Sequence, residues 1–164
     1  MDQEEMNKKN EFFKHKHMTL DIEHSLKYID TFDEFEKMYT DELIDGNILL
    51  CEYMKNLLEK YNTSINELAE LTEYSNDYIR KVIKGTRKNP ERDFLLAICV
   101  SVRADVEETQ TLLRYAGQSP LYARRKRDAL IWYAIKKKQG ITNLDIYLDE
   151  RGYTMLKKSK DDEK

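Results

Sequence analysis

Five glycines and two prolines are the whole complement of strong helix breakers in a chain of 164 residues, where average usage is about 7% and 5%. A chain so short of breakers is constrained towards long stretches of helix, with the breakers at the joints. Their positions support that. Gly46 precedes one helical pattern, Gly85, Gly117 and Gly152 follow others, Gly140 separates two, and Pro90 and Pro120 each follow a polar residue suited to cap a helix. No alternating apolar–polar run is long enough to require a strand. The reading is all-α.

The individual helices follow from apolar spacing and end signals. From Ile48 to Tyr61, residues Leu50, Met54, Leu57, Leu58 and Tyr61 lie on one helical stripe, and Asn62 is a plausible stop. Ser64 and Glu67 form a capping box, each able to satisfy the other's orphan N–H, for a helix reaching about Thr72 that buries Leu68, Ala69 and Leu71. Ser75 caps the next, with Asp77 in its first turn, inward residues Ile79, Val82 and Ile83, and Gly85 beyond its end. Asn89–Pro90 predicts a cap followed by proline in the first helical position, leading into the stripe Phe94, Leu95, Ile98, Cys99 and Val102. Asp105 and Glu108 form a second capping box, with Leu112, Leu113 and Ala116 facing inward. Ser119–Pro120 repeats the cap-then-proline signal for a helix within residues 121–139, and a last helix spans about Thr142–Arg151.

Charge divides the chain further. Residues 1–46 hold 13 acidic and 6 basic residues, so the overall net charge of −3 is concentrated there. Residues 1–18 read as a disordered tail, and residues 19–46 as an acidic helical segment built on Leu26, Ile29, Phe32, Phe35, Met38 and Tyr39. Residues 47–117 form the central domain, 118–156 a helical extension, and 157–164 a charged, solvated tail. No apolar run approaches the roughly 18 residues of a spanning helix, and no apolar signal segment opens the chain, so a cytoplasmic protein without a membrane partner is expected.

Catalytic and metal chemistry find little support. Cys51 and Cys99 fit neither a disulfide framework nor a zinc pattern. The histidines are His15, His17 and His24; the first two with Glu11 form no complete ligand set. No glycine-rich phosphate loop exists, and no serine or cysteine has a histidine nearby to activate it. Neither an enzyme nor a cofactor is expected.

The informative stretch is Ile65–Gly85, INELAELTEYSNDYIRKVIKG: a short helix, a tight turn and a second helix, with Ala69 small enough for close approach and Leu68, Ile79 and Val82 on the facing sides. At these residues the chain resembles the lambda-repressor-like, Cro/CI-type helix-turn-helix family, over about Leu49–Gly117, and GTRKNP after the second helix resembles that family's exit from its recognition helix. Two departures stand out: Glu73 occupies a turn position that is often glycine, and Thr72 replaces an apolar residue before it. The resemblance implies a five-helix DNA-binding domain, and the region after it resembles a C-terminal extension found in a set of bacterial members.

Such a second helix fits the major groove of B-DNA. Its candidate base-reading residues are Asn76, Asp77, Tyr78, Arg80 and Lys81. Asn76 suits an adenine edge and Arg80 or Lys81 a guanine; Asp77 is able to accept from cytosine, to repel phosphate or merely to cap the helix. Candidate phosphate contacts are Ser64, Ser75, Lys84, Arg87 and Lys88. About four phosphate contacts imply a slope near −3.6 for log affinity against log salt. The bland alternative for each piece is a packed helix pair followed by a solvated basic loop that complements a helix C-terminus.

The expected function is sequence-specific binding of double-stranded DNA by a transcription regulator, with a homodimer or a protein partner supplying a second contact. The rival is a helix-turn-helix fold serving as a protein–protein adaptor or antitoxin-like partner with little DNA affinity. Arg124–Arg127 and Lys136–Lys138 are further basic clusters, either extending a DNA footprint or forming solvated faces, and Asp128 is expected to pair locally with Arg127. The Ile131–Ile135 segment, with Trp132, is apolar nearly all round and is expected in a core rather than at a dimer interface.

Overall fold

The computed structural model describes residues 19–43 and 45–159, and the chain divides into two units, Met1–Ile44 and Asp45–Lys164. Every regular element among the described residues is α-helical. No helix among them is long and apolar enough to cross a membrane. The expected tail at 1–18, with His15 and His17, lies outside the described residues.

The first unit holds α1 (Thr19–Leu26) and α2 (Phe32–Met38). Thr31 caps α2 by accepting from the Glu34 N–H, and Asp33 and Glu34 place negative charge where the helix dipole favours it. Phe35 and Tyr39, one helical turn apart, are buried with ring centroids 5.0 Å apart, and the Tyr39 hydroxyl shares a hydrogen bond with Ser25. Leu26, Phe32 and Met38 remain exposed, so the apolar face is narrower than its spacing suggested.

The second unit holds α3 (Gly46–Lys60), α4 (Ile65–Thr72), α5 (Asn76–Ile83), α6 (Arg92–Val102), α7 (Val106–Tyr115), α8 (Lys126–Lys136) and α9 (Ile141–Glu150). Helix α6 is its axis. Every residue from Phe94 to Val100 is buried, as expected of a helix apolar on all sides. Helices α4, α7 and α9 pack around it, α3 lies against α5 and α7, and α8 lies against α7 and α9. Leu68, Ile79 and Val82 share one hydrophobic core with Leu121, Ile131, Ala134, Ile135, Leu144 and Leu156. Residues 118–156 therefore build on the same core as residues 47–117. In α8, Ile131, Ala134 and Ile135 face inward while Trp132 is half-buried and Tyr133 exposed.

Both capping boxes form, at Ser64–Glu67 and Asp105–Glu108. Both proline signals are corrected. Helix α6 begins at Arg92 with Glu91 in the cap position, because Asn89 turns the chain through a left-handed conformation (φ 52°) and Pro90 is buried with its carbonyl accepting from Gln118 Nε2 at 2.9 Å. Helix α8 begins only at Lys126, because the backbone before it is satisfied without a helix. Arg92 donates to the carbonyls of Ser119 (2.8 Å) and Pro120 (3.1 Å), and the Gln110 amide bonds both the N–H and the carbonyl of Leu121.

Asp128 likewise departs from the expected local pair with Arg127. Its carboxylate is buried, takes two hydrogen bonds from Arg92 (3.1 and 3.0 Å) and accepts the Tyr122 N–H at 3.0 Å. Arg127 instead holds Asp93 at 2.9 and 2.8 Å. Leu71, expected to be buried, is exposed.

Candidate nucleic-acid interface

Helix α5 is strongly two-sided. Ile79, Val82 and Ile83 are buried, so Asp77, Arg80, Lys81 and Lys84, at spacings of three and four, form the opposite exposed stripe. Ser75 starts the helix with its Oγ accepting from the Tyr78 N–H at 3.2 Å. Gly85 ends it at φ +78°, where an added Cβ would lie 3.0 Å from Asn47 Nδ2 and 3.2 Å from Cys51 Sγ. Glycine is needed there for both conformation and space. Beyond it, the Arg87 N–H (3.0 Å) and the Thr86 hydroxyl (3.1 Å) donate to the Lys81 carbonyl and hold the exit loop against the helix end.

The turn before α5 shows how the two departures from the family pattern are accommodated. Glu73 adopts the left-handed conformation (φ 62°), and its N–H donates to the Ala69 carbonyl. Thr72 is buried, its hydroxyl donating to the Leu68 carbonyl (2.6 Å) and accepting the Tyr74 N–H (3.4 Å). A buried polar side chain with both bonds made carries little desolvation penalty. Ala69 is half-buried against the core, as a small residue at a close crossing should be.

The expected base-reading residues divide into three groups. Arg80 is exposed and has no ion-pair partner among the described residues, as do Lys84 and Lys88 of the phosphate set. Lys81 and Asp77 are tied to each other at 2.7 Å across one helical turn, an exposed pair of small net stability. Asn76 and Tyr78 are half-buried. Asn76 Nδ2 donates to Asn66 Oδ1 at 3.1 Å. The Tyr78 ring meets the Phe94 edge at 4.9 Å and stacks on Tyr74 at 5.7 Å, and Arg87 lies over it at 5.9 Å.

Ser64 already has an anion beside it. Its N–H donates to the Glu67 carboxylate at 2.7 Å, and this backbone bond holds the Glu67 carboxyl below its ordinary range. The start of α4 therefore carries its own negative charge where a phosphate was expected.

Among the other basic clusters, Arg124, Arg125 and Lys126 are exposed, whereas Arg127 is committed to Asp93. Lys138 Nζ donates to the Arg103 carbonyl at 2.7 Å, and the Arg103 guanidinium returns a bond to the Lys138 carbonyl. Among the described residues, no group of three or more His, Cys, Asp and Glu side chains is placed to hold a metal ion.

Sequence reasoning missed one neighbour of the turn. The segment after α9, expected as a solvated tail, returns to α4: Leu156 is buried, and the Lys158 N–H donates to the Thr72 carbonyl at 2.9 Å. No local pattern announces this contact, because its two partners lie at opposite ends of the unit. No family model matches the chain, and neither the curated proteins nor the solved structures hold a significant match to it.

Proposed function

We propose that this chain binds duplex DNA through α5 and acts as a transcription regulator, with α3–α7 arranged in the lambda-repressor-like manner. The observation that carries the reading is the exposed stripe of α5, where Arg80 and Lys84 stand without ion-pair partners opposite the buried Ile79, Val82 and Ile83. The exit loop adds exposed Arg87 and Lys88. On this reading Arg80 approaches base edges, while Lys84, Arg87, Lys88 and the Ser75 hydroxyl meet phosphates. Asn76 and Tyr78 chiefly set the helix in place. A single module gives limited affinity, so the active species is a dimer on half-sites about 34 Å apart, or a complex with a protein that supplies the second contact.

The test selects bound fragments from random-sequence duplex and measures their affinity by fluorescence anisotropy near 0.15 M salt. Arg80→Ala with Lys84→Ala is expected to weaken binding at least tenfold and to reduce the salt slope by about 1.8. Unchanged affinity and slope would overturn the assignment of α5.

The second reading, a protein-binding module with little DNA affinity, is favoured by the Asp77–Lys81 pair, which places a carboxylate on the same exposed stripe. Purification from native cells separates the two. Bound nucleic acid supports the first, and a stoichiometric protein on α5 supports the second.

A further inference from the structure

The segment after α9 forms a continuous connection to the turn that precedes α5. Leu156 is buried in the common core. The buried Asp145 carboxylate of α9 accepts two successive backbone N–H groups, from Leu156 at 2.7 Å and Lys157 at 3.0 Å. The next residue, Lys158, donates its N–H to the Thr72 carbonyl at 2.9 Å, and its ammonium lies 5.9 Å from the centre of the Tyr74 ring. Lys157 Nζ stands 3.8 Å from Glu73 Oε1. Three consecutive turn residues, Thr72, Glu73 and Tyr74, are thus each touched by this segment.

Those three residues set the direction of α5. Glu73 holds a left-handed conformation without being glycine, a state that surrounding contacts must maintain. The Thr72 carbonyl belongs to the last turn of α4, where carbonyls lack partners within the helix, and Lys158 supplies one.

We propose that residues 153–158 act as a strap that positions α5: anchored by Leu156 and Asp145, they hold the Thr72–Tyr74 turn in the conformation that presents Arg80 and Lys84. The positioning residues are Asp145 and Lys158, the latter through its backbone N–H. The consequence for DNA binding rests on the proposed function; the bracing of the turn does not.

Lys158→Pro removes the N–H donor, whereas Lys158→Ala keeps it and deletes only the side chain. In the full-length protein, hydrogen exchange at the Glu73 and Tyr74 amides is expected to accelerate at least tenfold in Lys158→Pro, with α7 protection unchanged and Lys158→Ala close to wild type. Equal exchange in the two variants overturns the strap. Asp145→Asn, which leaves one of the two anchoring N–H groups without an acceptor, is expected to accelerate the same amides and serves as the second variant. On selected DNA sites, Lys158→Pro is expected to lower the ratio of specific to non-specific affinity about tenfold, while non-specific binding stays unchanged. Faster exchange with an unaltered ratio overturns the positioning role. If the wild-type chain shows no site preference on any duplex, the proposed function fails while the exchange result still decides the strap.

Discussion

Arg92 and Asp128 meet in a two-pronged contact, with guanidinium nitrogens 3.1 and 3.0 Å from the two carboxylate oxygens. Their sequence neighbours, Asp93 and Arg127, pair in the opposite sense at 2.9 and 2.8 Å. The Arg–Asp dipeptide at the start of α6 is thus matched by the one at the start of α8. Sliding α8 along α6 by one turn would break both pairs at once, which fixes the register of residues 118–156 on the rest of the unit.

Asp128→Ala leaves the Arg92 guanidinium, 17% exposed, without its carboxylate and the Tyr122 N–H without its acceptor. Removing one member of such a buried pair costs about 3–5 kcal/mol. Urea titration at neutral pH is expected to show a loss of that size. The exposed Lys55–Glu52 pair is the control, with Glu52→Ala changing stability by less than about 1 kcal/mol.

Gly85 and Gly117 both have positive φ, but only Gly85 is crowded. Gly85→Ala is expected to destabilise the fold by about 2–3 kcal/mol, combining backbone strain with displacement of Asn47 and Cys51. Gly117→Ala, with nothing within 4 Å of its added Cβ, should cost about 1 kcal/mol. Thermal denaturation of the two variants checks the ordering.

Glu108 joins α7 to the end of α3 by accepting from Lys60 and Tyr61 while it completes the Asp105 capping box. Burial alone would raise its carboxyl; the bonds from Lys60, Tyr61 and the Asp105 N–H outweigh that and hold it below the ordinary value of 4.5. A lowered folded-state value stabilises the fold above that ordinary value, and the stability is lost as the pH falls through the folded value. The urea midpoint is expected to drop between about pH 6 and pH 3. Glu108→Gln should flatten that dependence while costing about 1–3 kcal/mol at neutral pH.

Asp77 removes one cation from the exposed stripe of α5 by pairing with Lys81. Asp77→Asn is expected to tighten binding to random duplex and steepen the salt slope by about 0.9, corresponding to one additional phosphate contact. Anisotropy titrations at several salt concentrations measure both.

Burial pushes the Cys99 thiol up to about 12, and it also raises Cys51 above its ordinary value. The thiolate is the reactive form, so iodoacetamide near pH 8 is expected to modify neither cysteine in the folded protein and both after denaturation. Mass spectrometry reads the difference directly.

The helical class and most helix positions were legible in the chain because their signals are local. Ser64 and Glu67 specify a start within four positions, and Ile79, Val82 and Ile83 specify an inward face within five. Asn89–Pro90 and Ser119–Pro120 misled for a common reason. Each carries valid cap chemistry, but the nearby backbone groups are satisfied by Gln118, Arg92 and Gln110, all distant in sequence. At the candidate interface, the outward Arg80, Lys81 and Lys84 were readable from helical spacing. The engagement of Asn76 with Asn66 and of Tyr78 with Phe94 required the tertiary structure.

The bond between Lys158 and Thr72 also gives this fold an order in time. Helices α4 and α5 can form as soon as their own residues have been synthesised, since Ser64 and Ser75 lie beside the groups they cap. The turn between them lacks its last carbonyl partner until residue 158 has emerged, and contacts between such distant positions carry the larger closure entropy. A ribosome still carrying this chain therefore holds a recognition helix already wound but not yet aimed.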